Sequence, residues 1–229
     1  MKAVRTLVMF ILGAIFLIGN PAYSAFDTWI NGNTVSFHYD STLTGLFGDP
    51  TVVGNSLFFT PTDFTAIALN NSGSNATNEI FNLEVKGIGD TNIIGANLTE
   101  KGAYILDSPT VEEPTVSATG QMWALNGNDP SMNLTDSLIA TDAFSHTGLS
   151  SKDWEANANL DLGTWGSDKV ILTLENILTA NAFSTGDTAF IEKTQIVLSV
   201  TAVPIPAAIW LFGSALVGLI VTGRRTISE

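Results

Sequence analysis

The chain has 229 residues, no cysteine, and 22 acidic against nine basic side chains, which gives a formal net charge of −13 and an isoelectric point near 4.3. An acidic field of this size repels nucleic acid, so we expect no nucleic-acid partner. The lack of cysteine excludes disulfides, thiolate metal sites and cysteine nucleophiles.

The N-terminal segment has the pattern of a secretory signal peptide. Lys2 and Arg5 precede an apolar run at residues 7–18, which is short for a membrane anchor because a spanning helix needs about 20 residues. Small residues then supply the cleavage region, Ala22, Ser24 and Ala25. We predict that residues 1–24 are a signal peptide. It directs the chain to the Sec translocon and is then removed by signal peptidase.

The segment that remains after export, residues 25–202, is more acidic than the whole chain. It holds five lysines, no arginine and 21 of the 22 acidic residues, hence a net charge of −16. Its length suits one domain with a substantial core. Clusters of Asn, Thr, Ser, Gly and Asp separate its apolar runs, as in proteins with many strands and turns. We predict a single all-β domain, a β-sandwich or jelly-roll-like fold, flanked by an N-terminal signal helix and a C-terminal transmembrane helix.

Alternating or β-rich runs predict eleven strands in this domain. They lie at residues 34–39, 51–53, 57–60, 65–69, 79–86, 92–99, 102–106, 115–125, 154–162, 169–177 and 188–202. Gly54 and Asn55 predict a hairpin turn between the second and third strands. The charged pair Glu100 and Lys101 predicts another turn, between the sixth and seventh.

Two polar segments between these runs are predicted to be loops. Residues 70–75 form a short loop, and residues 126–148 look irregular, with one or two helical turns at 136–144. The first loop and residues 126–129 carry the oxygen-rich side chains that Ca²⁺ uses, but they lack the spacing and the closing glutamate of a calcium-binding loop. We therefore assign no metal site and no cofactor, and Ca²⁺ is kept as a minor alternative.

The two histidines do not form a metal-ligand motif. His38 alternates with aromatic residues in a predicted strand, so we expect a structural or surface role. His146 follows Ser145 and lies near Asp142 in sequence, which allows a Ser-His-Asp triad to be written down. The chain lacks the Gly-x-Ser-x-Gly elbow of such enzymes near these residues, so we predict no catalytic residues.

Acidic and aromatic side chains offer two further candidate sites. Glu112 and Glu113 could contribute to a glycosidase pair, but adjacent residues of an extended loop point in opposite directions, whereas that chemistry needs two facing carboxyls. Four tryptophans could stack on sugars: Trp29, Trp123, Trp154 and Trp165. We expect the four to pack in the core, with Trp154 and Trp165 the more exposed.

The C-terminal segment, residues 203–229, has the pattern of a membrane anchor. Residues 207–223 are uncharged and mostly apolar, and the basic stop that follows consists of Arg224 and Arg225. About 17 residues suffice to cross a ~30 Å hydrocarbon core, whereas a buried core helix would not explain the flanking basic pair. The positive-inside rule places the C-terminus in the cytoplasm and the preceding domain outside.

The same segment carries a resemblance to a known sorting signal. The motif consists of Val203, Pro204, Ile205, Pro206 and Ala207. Together with the apolar span and the arginine pair, it resembles the PEP-CTERM protein-sorting signal, in its VPLPA variant. Ile205 stands where that variant has leucine, and four residues follow the arginine pair. The resemblance covers about 25 residues and implies export, temporary membrane retention and processing by an exosortase-type transpeptidase.

These patterns predict a non-catalytic, exported structural or interaction protein. We expect an inner-membrane intermediate that is then sorted to the cell surface or to an extracellular polysaccharide matrix. One alternative is a secreted carbohydrate-binding, lectin-like module that uses exposed tryptophans. Another is a secreted hydrolase, which would need residues such as Asp142, His146 or Glu112 to converge in a cleft.

Overall fold

The computed structural model describes residues 26–109 and 113–204. The predicted signal peptide with Ala22, Ser24 and Ala25, the residue Glu112, and the chain from Ile205 onward, including Pro206, Ala207, Arg224 and Arg225, lie outside the described residues. In the two described ranges, no helix is long and apolar enough to cross a membrane.

Twelve strands and two short 3-10 helices, Ser41–Leu43 and Gly45–Phe47, make up the described chain, so the predicted all-β class is confirmed. The strands are β1 (Thr28–Asn31), β2 (Val35–Tyr39), β3 (Thr51–Val53), β4 (Ser56–Phe59), β5 (Thr65–Leu69), β6 (Gly73–Gly87), β7 (Thr91–Asp107), β8 (Thr115–Asn126), β9 (Asn133–Ala140), β10 (Gly148–Asp161), β11 (Lys169–Ala182) and β12 (Thr188–Pro204).

All twelve strands belong to one antiparallel sheet with a barrel- or sandwich-like shape. The strand order is β1-β2-β6-β11-β8-β9-β10-β7-β12-β4-β3, and β5 pairs with β12. Side chains of β6 hold β5 on its other side, since Thr77 donates from Oγ1 to the carbonyl of Thr65 at 2.6 Å and Asn75 donates from Nδ2 to that of Ile67 at 2.9 Å. The sheet therefore curls until strands distant in its order face each other across a common core.

Strict alternation along the long strands builds that core. In β11 every second residue is buried from Val170 to Ala182, and the residues between them are only partly buried. Four phenylalanines form an edge-to-face and tilted cluster at one end of the core: Phe47, Phe59, Phe64 and Phe81. Ring packing of this kind supplies stability that a domain without disulfides must obtain from its core.

Three predictions about individual elements are wrong. No turn occurs at Glu100 and Lys101, because β7 runs without interruption from Thr91 to Asp107 and pairs along that length with β10 and β12. The segment 136–144 is not helical; most of it belongs to β9, which pairs with β8 and β10. Part of the loop predicted at 70–75 is the start of β6. In each case cross-strand pairing overrides the local preference of polar residues for turns.

The remaining strand predictions agree with the structure in position but are often too short. The hairpin turn at Gly54 and Asn55 is confirmed between β3 and β4. The first strand, β1, was not predicted, because its four residues lack a clear alternation. The runs predicted at 154–162 and 169–177 are the central parts of β10 and β11, whose polar ends are recruited by pairing with neighbours.

Candidate functional site

A lysine, a glutamate and an asparagine meet in the core between three strands. Lys193 lies on β12, Glu100 on β7 and Asn176 on β11. Strands β7 and β12 are neighbours in the sheet, whereas β11 pairs with β6 and β8 and faces them from the opposite wall. The cluster therefore connects the two walls of the sheet through its interior.

The three side chains are withdrawn from solvent and contact one another directly. The side chains of Lys193 and Glu100 have no exposed surface, and Asn176 has none either. The Nζ atom of Lys193 donates to Oε2 of Glu100 and to Oδ1 of Asn176. An ionised pair in such a place carries a large desolvation cost that its mutual attraction barely offsets.

Two polar atoms of this cluster have no hydrogen-bond partner. They are Oε1 of Glu100 and the amide nitrogen Nδ2 of Asn176, both buried. A buried polar atom without a partner costs about 1–3 kcal/mol. Because most buried polar atoms in folded proteins are satisfied, two orphans in one cluster require an explanation.

Burial drives both charged residues of the cluster toward their neutral forms. Desolvation raises the pKa of Glu100 above its ordinary value, and the charge and hydrogen bond of Lys193, together with the nearby carboxamide of Asn176, only partly oppose that rise. Desolvation likewise lowers the pKa of Lys193, and Glu100 partly opposes that fall. The environment thus favours a free amine beside a protonated carboxyl group.

Aromatic rings enclose the amine. The Nζ atom of Lys193 lies 4.8 Å from the ring centroid of Phe64 and 6.0 Å from that of Trp154. Trp154 is fixed by its own hydrogen bond from Nε1 to the carbonyl of Glu192 at 3.0 Å. Gly102 makes room for this ring, since a Cβ atom there would lie 2.7 Å from Nε1 of Trp154. The rings leave the lysine little freedom to turn away from its partners.

A bulge in β12 helps to aim the lysine inward. The register between β12 and β7 shifts between Lys193 and Gln195, so that Thr194 is an extra residue on the outside. Before the bulge the buried positions fall on Ala189, Ile191 and Lys193, and after it they continue at Ile196. Bulges of this kind often re-aim a side chain next to a functional site.

Sequence reasoning missed this cluster, although a signal for it existed. In β11 the apolar positions 170, 172 and 174 continue with Asn176 before returning to Leu178. A polar residue on the apolar phase of a strand is predicted to be buried. The sequence pattern instead predicts that Glu100 belongs to a turn. The partnership of the three residues could not be predicted, because it depends on which strands face each other.

An open cleft of about 580 Å³ is lined in part by Trp154. Its lining includes three acidic residues, Asp142, Asp153 and Glu155. Lys101, also in the lining, forms an exposed 3.0 Å ion pair with Glu155. The residue Asp142, a candidate for a hydrolytic triad, therefore lies at the surface in this cleft.

The structure gives His146 a different carboxylate neighbour from the predicted one. Its Nε2 lies 4.0 Å from Oδ1 of Asp107, and both side chains are partly exposed. The hydroxyl of Ser145 accepts a hydrogen bond from Nζ of Lys152 at 3.3 Å. His38 stacks on Trp29, with ring centroids 3.7 Å apart, and bonds through Nε2 to the carbonyl of Phe26.

The tryptophans are distributed in the opposite way from the prediction. Trp154 is buried with 6% exposure and Trp165 packs against the core, whereas Trp29 and Trp123 are 52% and 39% exposed. The polar surroundings of Trp154 and Trp165 in sequence were misleading, because the pleat of β10 and the turn after it direct both rings inward. The outer face of the sheet carries the other two rings.

The oxygen-rich loops are occupied by their own hydrogen bonds. Oδ1 of Asn126 accepts from the backbone N–H of Asn128 at 2.9 Å, and Nδ2 of Asn128 donates to Asp168 at 2.8 Å. Oδ1 of Asn70 accepts from the N–H of Gly186 at 3.2 Å. Within residues 26–109 and 113–204 no group of three or more metal-ligating side chains is assembled.

The first two residues of the predicted sorting motif belong to the folded sheet. Val203 and Pro204 are the last residues of β12 and stand opposite Asn92 and Thr91 of β7. Strand β12 is bordered by β7 on one side and by β4 and β5 on the other. The chain thus leaves the domain from a central strand.

No protein-family model and no curated protein sequence matches the chain. Two solved virus structures share a remote likeness. The structure of infectious bursal disease virus Gt strain has 11% identity and a TM-score of 0.24, over 82% of this chain and 60% of that chain. The T13 particle of IBDV has 12% identity and a TM-score of 0.20, over 76% and 50%. The chain spans less than two thirds of either, and likeness at this level carries no argument.

Proposed function

We propose that the chain is an exported, non-catalytic structural or interaction protein that is delivered through its two ends. The signal peptide at residues 1–24 directs it to the Sec translocon and signal peptidase. The segment 203–229 then holds it in the inner membrane, with the C-terminus in the cytoplasm, until an exosortase-type transpeptidase acts at the motif. The product is a sandwich-like domain at the cell surface or in an extracellular polysaccharide matrix.

The observation that carries this proposal is the continuity of β12 with the motif. The strand stays paired as far as Pro204, so the predicted membrane span begins three residues after the sheet ends. A domain attached without a linker is held at the membrane surface, in a fixed relation to a membrane-embedded processing enzyme. This arrangement suits a cargo that is folded before it is released.

The acidic domain gives further support for an extracellular role. Its net charge of −16 over residues 25–202 opposes adsorption to anionic lipid headgroups once the tail is removed, and it favours solubility. The same charge is compatible with a polysaccharide matrix that contains bridging cations.

Deletion of residues 205–229 tests the sorting role while leaving β12 intact. In a host that has an exosortase, we expect the full chain to reach the surface or the medium in a shortened form. The truncated chain should be exported without membrane retention and without processing. Mass spectrometry of the mature ends and cell fractionation provide the measurement.

A matched control keeps the apolar span and the basic stop but changes the motif. In Pro204→Ala/Pro206→Ala, the chain should stay in the inner membrane at full tail length. If the double variant and the parent are processed at the same place and to the same extent, the motif has no part in sorting. An unchanged destination of the truncated chain would remove the sorting proposal altogether.

A carbohydrate-binding role is the second candidate, and the exposed tryptophans favour it. Trp29 and Trp123 both lie on the outer face of the sheet, on β1 and β8. Trp29 is braced by the stacked ring of His38, which limits the entropy lost on binding. Planar rings exposed on the outer face of a sheet are suited to stacking against sugar rings.

Pull-down with purified cell-surface polysaccharides tests this second candidate. Loss of stacking in Trp29→Ala or Trp123→Ala should weaken binding about tenfold, whereas Leu149→Ala, which removes a 76% exposed side chain from β10, should not. Equal binding by all four proteins would argue against the tryptophan face. Turnover on a panel of glycans and esters would instead favour the hydrolase alternative.

A further inference from the structure

The buried cluster of Lys193, Glu100 and Asn176 has the composition and placement of a self-processing site. It lies away from the surface and away from the sorting motif, so a role in ligand binding or sorting does not account for it. A purely structural ion pair is also a poor explanation, because apolar residues of similar size would serve the core at least as well. The residues present are a primary amine, a carboxyl group and a carboxamide in mutual contact.

The contacts place a nucleophile against an electrophile. Nζ of Lys193 contacts the carboxamide of Asn176 through Oδ1, and the same Nζ contacts Oε2 of Glu100. The rings of Phe64 and Trp154 and the surrounding sheet keep bulk water away. Reacting groups held together in this way gain a large effective concentration over the same groups free in solution.

We propose that Lys193 and Asn176 become joined by an intramolecular isopeptide bond, formed without any other enzyme and with Glu100 as the acid–base residue. The lone pair of Nζ attacks Cγ of Asn176, and a new carbon–nitrogen bond forms. The bond between Cγ and Nδ2 breaks, and Nδ2 leaves as ammonia. Glu100 accepts a proton from Nζ and supplies one to the departing nitrogen, so the carboxyl group ends in its original state. The reaction is an amide exchange in which nothing is oxidised or reduced.

The protonation states favoured by burial are those that this chemistry requires. A lysine is nucleophilic only as the free amine, and a lowered pKa of Lys193 makes that form accessible. A raised pKa keeps Glu100 protonated, which lets it donate to Asn176 Oδ1 as negative charge develops there. Neither charge has to be neutralised by solvent in the core.

The bond also accounts for the two unpartnered atoms. The orphan Nδ2 of Asn176 is the atom that departs. In the product, the new amide N–H can donate to one oxygen of Glu100, while the protonated second oxygen donates to the new amide carbonyl. Both oxygens of Glu100 then have partners, including Oε1, which has none before the reaction.

A covalent link here would replace the disulfide that the chain cannot form. It joins β11 to β12 across the core and closes a loop between residues 17 apart in sequence. By the entropy argument used for disulfides, a loop of this length raises the melting temperature by roughly 6–12 °C. It also fixes β12, the strand that leads to the C-terminal tail, to the opposite wall. This inference does not depend on the proposed function.

Peptide mapping of the purified, folded full chain tests the proposal. Cleavage after Glu175 and Glu192 releases residues 176–192 as one peptide and begins the next at Lys193. We expect these two peptides to remain joined through their first residues, with a combined mass about 17 Da below their sum because ammonia is lost. The second peptide runs from Lys193 to the mature C-terminus, so its mass is taken with the C-terminal end that the mapping finds, whereas the loss of the free peptide 176–192 does not depend on that end.

Three variants and one control assign the roles. Lys193→Met, Asn176→Ala and Glu100→Gln should each release the two peptides separately and at full mass. Lys101→Met, which changes an exposed lysine on β7, should keep them joined. A linked product in Glu100→Gln would overturn the role of Glu100.

The wild-type protein alone decides the existence of the bond, even if a variant fails to fold. Recovery of the free, full-mass peptide 176–192 from wild-type chain that shows a β-sheet circular dichroism spectrum and a cooperative melting transition would overturn the proposal. Recovery of the joined peptides would establish it.

Discussion

The carboxyl group of Glu100 shows how strongly a single buried residue depends on its surroundings. Desolvation raises its pKa, because Lys193, Asn176 and apolar side chains surround the carboxyl group and exclude water. The folded state therefore retains a proton that the unfolded chain releases above about pH 4.5. The contribution of Glu100 to the free energy of unfolding is fully present below that pH. It is lost as the pH rises through the pKa that Glu100 has in the folded state.

Glu100→Gln should change the pH dependence of stability. In wild-type protein with Lys193 linked to Asn176, Lys193 does not titrate, and we expect the free energy of unfolding to fall from pH 4.5 upward, by about 1.4 kcal/mol for each unit by which the folded pKa of Glu100 exceeds the unfolded one. In the variant this fall should vanish or reverse, because an unlinked Lys193 has a lowered pKa and its folded form gains stability with rising pH. Urea denaturation from pH 4.5 to 8 measures both curves; parallel curves would contradict this explanation.

Gly102 is the second residue on which the site depends. A Cβ atom there would lie 1.8 Å from the carbonyl oxygen of Glu192, on the neighbouring strand, as well as against Trp154. Gly102→Ala should cost about 2–4 kcal/mol, because the backbone of β7 and β12 must separate. Gly95→Ala on the same strand is the control, since its nearest neighbour would be at 3.4 Å. Equal melting temperatures for the two variants would contradict the argument.

At the scale of single elements, β9 is the most informative strand because its sequence looked irregular. It pairs with β8 over seven residues and with β10 over two, and from Asp136 to Ala140 its more buried positions alternate with exposed ones. Leu138 is buried with 2% exposure, whereas the adjacent Ile139 is 66% exposed. Pairing on both sides, rather than intrinsic preference, holds this segment extended.

Alanine substitutions at these two neighbours test the pleat of β9. Leu138→Ala should destabilise the protein by about 2–4 kcal/mol, because it leaves a cavity in the core. Ile139→Ala should change stability by less than about 0.5 kcal/mol, since its side chain is largely in solvent. Chemical denaturation of both variants measures the difference. Similar losses at both positions would be inconsistent with the alternation described for β9.

At the scale of the whole molecule, uncompensated negative charge opposes compaction. Residues 25–202 carry −16 net, and self-repulsion of this size should weaken as salt screens it. We expect the melting temperature to rise by a few degrees, roughly 2–5 °C, between 20 mM and 500 mM NaCl. A decrease would show that attractive surface pairs dominate instead.

Calcium can be separated from this general screening by matching ionic strength. If Ca²⁺ acts only as a screening ion, CaCl₂ and NaCl of equal ionic strength should give the same melting temperature. A further rise that grows with the logarithm of Ca²⁺ concentration would indicate a specific site. The self-bonded oxygens of the loops near Asn70 and Asn126 favour the first outcome.

The sequence alone determined the all-β class and the location of most strands, because apolar alternation and turn clusters are local patterns that do not depend on which strands pack together. It also gave rise to the sorting hypothesis at residues 203–229, which stays a prediction since all but the first two residues lie outside the described chain. Exposure of single aromatic side chains was predicted wrongly. A ring's burial depends on the face of the strand it occupies, and a bulge or an extra paired residue changes that face.

Only the tertiary structure decided which strands face each other, and therefore that Lys193, Glu100 and Asn176 meet. The three lie on β12, β7 and β11, and Glu100 is separated by 93 residues from Lys193 along the chain. Alternation could place each of them in the core. Their contact depends on the curl of the whole sheet, because β11 and β12 adjoin in sequence but lie on opposite walls. A site formed by long-range packing has no local sequence pattern, and for that reason it became visible only once the strands were in place.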